Sequence, residues 1–178
     1  IDCIFAVLSS TLLFLSAFTL IFRMESEIPP VVPIHLKIEI NCKEHFNVLP
    51  MQKIPFSVSN KWYKGECDVL TYQLDELVGT KLRALYQRRK GRDLYDLYKA
   101  LTTKEINIVN VLKCYNLYMD FVVDHIPTYK EFIINMEDKM QDEEFLGDTK
   151  QLLRPDEHFN PQEGYEVVKT ALIDRLQK

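Results

Sequence analysis

Lysine, arginine and aspartate recur in one stretch of this chain at spacings that can hold an anion. Leu74, Leu77, Val78, Leu82 and Leu85 fall at helical spacing and are expected to face a core. Lys81, four residues from both Leu77 and Leu85, lies on that same face. An ammonium there either carries its head to water along its own stem or meets an anion. The chain then reads Arg88-Arg89-Lys90-Gly91-Arg92-Asp93-Leu94-Tyr95-Asp96. Gly91 is expected to end the first helix and let a second start at once, bringing Lys81 to Asp93 across a short turn. Asp93 and Asp96, three apart, share a helix face. In the plainer reading of the same residues, Asp93 caps a helix or pairs with the arginines, and Leu94, Leu97, Tyr98 and Leu101 are core.

A second carboxylate stands on a strand. In His35–Asn41, Leu36, Ile38 and Ile40 point one way and Lys37, Glu39 and Asn41 the other. Glu39 is either a surface residue or, centred on a buried sheet, a ligand for Mg²⁺, a hard ion that prefers oxygen. The four histidines lack zinc-like spacing, and no cysteine is paired with a histidine in a way that argues for a nucleophile. Asp138 to Asp142, with two further acids after it, reads as a solvated acidic face rather than a metal site.

Composition bounds what these residues can belong to. With 178 residues, 47% hydrophobic and 27% charged, the chain can bury one good core. A net charge of −4 argues against a protein that coats nucleic acid generally, although Arg83, Arg88, Arg89, Lys90 and Arg92 form a local basic cluster. The five glycines make no phosphate-cradling loop, which excludes Walker and dinucleotide fingerprints. The four cysteines have no Cys-x-x-Cys pairing and read as free thiols in a cytoplasmic protein.

Residues Ile4 to Phe22 carry no charge, and by length alone could span a membrane. Asp2 rather than a positive residue precedes them, no small-residue cleavage site follows, and from Thr19 the pattern alternates like a strand. Buried or irregular sequence is therefore expected there, with a membrane anchor as the alternative. Pro29, Pro30 and Pro33 forbid helix before the strand at His35. Phe46–Val58 suggests short strands or an ordered loop, Gly65 a turn, and Glu66–Thr71 another strand. Beyond Gln73 the chain reads helical. Asn107, the capping box Thr128 to Glu131, and Asn160-Pro161 with Glu163 mark helix starts. The last helix is expected to carry Tyr165, Val168, Leu172 and Leu176 on one face. The fold class is α+β: a small sheet region, 1–73, followed by a helical domain of four or five helices, 74–178.

Taken together, Phe22-Arg-Met-Glu-Ser-Glu-Ile-Pro-Pro, Leu36-Lys-Ile-Glu-Ile-Asn41 with Glu44-His45-Phe46, Glu76-Leu77 with Lys81-Leu-Arg-Ala-Leu85, and Arg92-Asp93-Leu-Tyr-Asp96 resemble the AbiEii/AbiGii toxin family of nucleotidyltransferases. The resemblance runs from about Thr19 to the C-terminus. It implies transfer of a nucleotidyl group from an NTP, with Mg²⁺, in type IV toxin–antitoxin and phage abortive-infection systems. RNA is a possible acceptor, and a cognate antitoxin is expected that need not touch this chain. It assigns Glu39 to the strand carboxylate that accompanies the metal, Lys81 to the triphosphate, and Asp93 to the acid of the Arg-Asp motif. Lys37 and Arg92 are further nucleotide candidates, with Asp96, Arg88 and Arg89 behind them. The superfamily's first motif, a Gly-Ser or Gly-Gly turn followed by Asp-x-Asp, does not occur in this sequence. The chain is accordingly expected to be the C-terminal two-thirds of such an enzyme, with catalysis lost, or else a non-enzymatic binding remnant.

Overall fold

The computed structural model describes residues 17–42, 44, 46–123 and 125–177. Cys3, His45 and residues 4–16 of the apolar run lie outside the described residues. The remainder of that run enters a strand, and among the described residues no helix is long and apolar enough to cross a membrane.

The chain divides into two compact units, Ile1–Phe46 and Asn47–Lys178, rather than closing around one core. In the first, β1 (Ala17–Glu25) and β2 (Pro33–Asn41) form an antiparallel ribbon. Its register places Phe18 beside Ile40, Leu20 beside Ile38, Phe22 beside Leu36 and Met24 beside Ile34, so one face is apolar throughout. Thr19 opposite Glu39 and Ile21 opposite Lys37 form the other face. The strands expected from alternation are thus present. Among the described residues no buried sheet surrounds Glu39, however: β2 is exposed along its whole length, in a ribbon whose described strands number two.

The second unit begins with another antiparallel hairpin, β3 (Gln52–Ser59) and β4 (Lys64–Thr71). Pro55 is tolerated in β3 because the sheet has only two strands, so one side of each strand is an edge. Among the described residues six α-helices follow: α1 (Leu74–Gln87), α2 (Gly91–Thr103), α3 (Ile108–Val122), α4 (Tyr129–Lys139), α5 (Glu143–Gly147) and α6 (Pro161–Ala171). One more forms than the upper expectation, because Asp142, read as part of a solvated acidic run, accepts the Glu144 and Phe145 N–H groups and starts α5. The caps read from sequence hold. Asn107 accepts from Val109 and Asn110, Thr128 and Glu131 form a reciprocal capping box, and Asn160 accepts from Gln162 with Pro161 in the first turn.

The core is built by Leu82 and Leu85 of α1, Leu94 and Leu97 of α2, Tyr115 and Met119 of α3, Phe132 and Met136 of α4, Phe145 of α5 and Val168 of α6. Leu172 and Leu176 are also buried, but α6 stops at Ala171 and a 3-10 turn, Ile173–Arg175, delivers them.

Two expectations about α1 are corrected. Its buried stripe is Glu76, Val78, Gly79, Leu82 and Leu85, whereas Leu74 and Leu77 are 36% and 39% exposed. Lys81 shares their flank at the margin of the core rather than intruding into it. Gly91 does not end α1, which closes at Gln87 with the Arg88 N–H on the Ala84 carbonyl. It opens α2 instead, and an added Cβ would collide with the Phe145 carbonyl oxygen. Close approach, not left-handed backbone, is what requires glycine there.

Candidate functional site

The turn between α1 and α2 brings the sequence-predicted cations and acids together around one buried carboxylate. Asp93, in the first turn of α2, is fully buried. Its Oδ2 accepts from Arg88 Nε at 2.6 Å, and its Oδ1 accepts from Arg88 Nη2 at 2.7 Å and from Lys81 Nζ at 3.2 Å. The Arg88 fork is bidentate, the geometry in which a guanidinium binds a carboxylate most specifically. Asp96, one turn further along α2, pairs with Lys81 at 2.7 Å. Lys81 is therefore held between two carboxylates, while 36% of its side chain remains exposed. Burial pulls its ammonium toward neutrality, but Asp96 and then Asp93 outweigh burial and raise its pKa above the ordinary lysine value. It stays charged at any physiological pH.

Two more cations of the basic loop are engaged as well. Arg89 pairs with Asp138 and, at 3.0 Å, with Asp142. Arg92 donates to both oxygens of Asp148, from Nε and Nη2 at 3.0 Å each, and its backbone N–H adds a third bond to Oδ2 at 3.0 Å. These hydrogen bonds hold Asp142 and Asp148 below the usual carboxylate range, with Arg89 and Arg92 respectively as the leading causes. Three of the five cations in the sequence cluster are thus paired with acids: Arg88 with Asp93 of α2, Arg89 with Asp138 of α4 and Asp142 at the start of α5, and Arg92 with Asp148 at its end. Lys81, next to this cluster, and Arg88 within it are both fixed in place by the buried Asp93.

Under the turn lies Lys139, which sequence reasoning left inside an acidic run. It is 2% exposed and donates to the Tyr86 carbonyl at 2.8 Å and to the Leu85 carbonyl, closing the C-terminal end of α1. Burial first, then the charge of Arg89, pushes its pKa down to about 8, with Asp93 pulling the other way. The available signal was its spacing: Lys139 follows Met136 by three and Phe132 by seven, the core face of α4. Glu76 is a second buried acid, and it meets no cation. It accepts the Val48 and Leu49 N–H groups at 2.8 and 2.9 Å and the Tyr118 hydroxyl at 2.8 Å, fastening the approach to β3 onto α1.

Glu39 and Lys37 belong to the other unit. They pair with each other at 2.7 Å, with 63% and 55% of their side chains exposed. Among the described residues no group of three or more His, Cys, Asp or Glu side chains could hold a metal ion. Asp93 has both oxygens occupied by cations. The described residues on their own therefore do not fit a two-metal centre, which needs several oxygen ligands for each ion.

Comparison with known proteins adds the class to which this α+β chain belongs. The family described as "Nucleotidyl transferase AbiEii toxin, Type IV TA system" matches residues 8–171. The chain belongs to this family of nucleotidyl transferase toxins, and the family implies a cognate antitoxin. No curated protein matches it, and no solved structure does.

Proposed function

We propose that the chain acts through the α1–α2 turn on an NTP, as a nucleotidyltransferase-type toxin protein of a phage abortive-infection system working in the cytoplasm. The observation that carries this reading is Lys81: a permanently charged ammonium, partly exposed, held in place by a buried carboxylate. A triphosphate is a dense anion, and an immobilised cation loses little freedom in meeting it. Arg88 and Arg92 stand beside the same turn and, although each is paired with a carboxylate, about half of each side chain is exposed, which leaves N–H groups free to meet an anion. In this reading Asp93 positions Lys81 and Arg88, and Lys37 and Glu39 remain the strand candidates for nucleotide and Mg²⁺ that the family likeness suggests. In this reading Mg²⁺ accompanies the NTP. RNA is the acceptor class that suits the basic turn.

Calorimetric titration with each of the four NTPs tests this. Lys81→Met should weaken binding by roughly 1.5–3 kcal/mol, the scale of a hydrogen bond to a charged group, while leaving the fold intact. Unchanged affinity would overturn the reading.

One observation favours a second reading, in which the chain binds nucleotide or RNA without transferring it: the absence of a metal-holding group among the described residues. Labelled NTPs separate the two. Transfer that disappears in Asp93→Asn supports the enzyme, whereas Lys81-dependent binding without transfer supports the binding protein.

A further inference from the structure

Two carboxylates share the Lys81 ammonium, and they differ in what it takes to release it. Asp93 is buried and is held by both Arg88 contacts as well as by Lys81. Letting go of Lys81 would leave it with less compensation in a place water does not reach. Asp96 stands one turn along α2 with 43% of its side chain exposed. Its contact with Lys81 is the shorter of the two, 2.7 Å against 3.2 Å, yet it is the cheaper to break, because solvent rehydrates an exposed carboxylate at once. Of the two carboxylates on the ammonium, Asp96 is therefore the one that solvent and an incoming anion can reach.

We propose that Asp96 is a displaceable guard on Lys81, an internal anion that occupies the ammonium until a polyphosphate takes its place. The assignment rests on the reading of Lys81 as the phosphate-binding cation. Asp93 anchors the lysine and stays; Asp96 competes with the incoming anion and leaves. Any anion reaching Lys81 must replace an ion pair that already exists and must then sit beside the released carboxylate. Asp96 thus weakens anion binding in the resting protein, the opposite of what its place beside the Arg-Asp motif suggests. It also keeps Lys81 pointed at the site while the site is empty.

The probe is inorganic tripolyphosphate, titrated calorimetrically into the full chain at low salt. Asp96→Asn and Asp96→Ser should each bind it about 3- to 10-fold more tightly than the unaltered protein, the combined effect of removing an exposed competitor and its repulsion. Asp96→Glu should restore the original affinity, and the gain should shrink as salt screens the carboxylate. In a Lys81→Met background, Asp96→Asn should give a smaller gain, because only the repulsion is then removed. A residue that merely supports the fold would instead lower the melting temperature and weaken binding. Equal or weaker binding by both Asp96 variants, with Lys81→Met still weakening it, overturns the guard and leaves the Lys81 reading standing. If neither Lys81→Met nor the Asp96 variants change the affinity, both fall together.

Discussion

Two lysine–carboxylate pairs, one on a ribbon and one between helices, invert the ranking that distance alone would give. Lys37 and Glu39 meet at 2.7 Å on β2, and Lys81 and Asp93 at 3.2 Å across the α1–α2 turn. The shorter pair is the weaker one. Both of its side chains are more than half exposed, so water screens the attraction and holding two flexible side chains in register offsets much of what remains. In the longer pair the carboxylate is fully buried, and Arg88 shares it through two further hydrogen bonds. What sets the strength is the number of donors on a carboxylate that cannot retreat to solvent.

The comparison breaks first, if it is wrong, at Asp93. Asp93→Ala removes the centre of the cluster and leaves Lys81 and Arg88 facing each other, so it should lower unfolding stability by about 3–5 kcal/mol, the scale seen when one partner of a buried pair is removed. Asp93→Asn, which keeps the shape, should recover only part of that. Urea midpoints at constant slope measure it. A loss below about 1 kcal/mol would mean that the cluster is a surface feature like the β2 pair.

Lys139 asks whether a buried lysine without a carboxylate behaves differently from Lys81. Its pKa, about 8, lies below the ordinary lysine value of 10.5. Below pH 8 folded and unfolded chains are both protonated there, and the residue gives stability no slope. Between pH 8 and 10.5 the unfolded chain still holds the proton that the folded chain has released, so stability rises with pH, by on the order of 3 kcal/mol over the window. Cys114 works the other way from about pH 9, since burial raises its thiol to about 11 and the folded chain keeps a proton that the unfolded one loses. The clean interval is pH 8 to 9. A rise there that disappears in Lys139→Met identifies the residue; the same rise in the variant excludes it.

Glu76 isolates burial from charge pairing, being a buried carboxylate satisfied by three neutral donors. In Glu76→Gln the amide nitrogen must face the Leu49 N–H or the pair made by Val48 and Tyr118, because an amide cannot accept on both sides. One buried donor is then unmet, at a cost of about 1–3 kcal/mol. Hydrogen exchange at Val48 and Leu49 should accelerate before that of the α3 core. Unchanged exchange would show that the approach to β3 is held by something else.

What the sequence disclosed, and what it withheld, divides by range. The caps at Asn107, Thr128 and Asn160 were readable because a cap is chemistry between residues two or three apart. The alternation of Leu20, Phe22 and Met24 and of Leu36, Ile38 and Ile40 was readable because a strand imposes a period of two. The meeting of Lys81 with Asp93 was also legible, since a short turn leaves two helices few ways to go. Periodicity could not say that Leu74 and Leu77 would stay at the margin, because which neighbour covers a face is decided by distant residues. Nor could it supply partners for Arg89 and Arg92. Asp142 and Asp148 lie 53 and 56 positions away, in a stretch whose acids look alike until they are folded. Gly91 was misread for the same reason: its constraint is the Phe145 carbonyl, which no local pattern announces.

The smallest effect belongs to the β2 pair, and it sharpens the contrast from the other side. Glu39→Gln and Lys37→Met should each change stability by less than about 1 kcal/mol, and a double-mutant cycle should give a coupling of about 0.2–1 kcal/mol that fades as salt is added. The two residues lie two apart on one strand face, so their contact holds no distant part of the chain in place and its loss releases nothing else. If Glu39 takes part in Mg²⁺ binding, as the family likeness suggests, Glu39→Gln should alter the Mg²⁺ dependence of NTP binding while stability stays where it was. An effect on NTP binding and a stability loss would thus come apart at Glu39 and stay joined at Asp93, which positions Lys81. A salt-insensitive coupling well above 1 kcal/mol would mean that the polar face of β2 is not in water when the chain is folded, and the contrast between the two pairs would collapse.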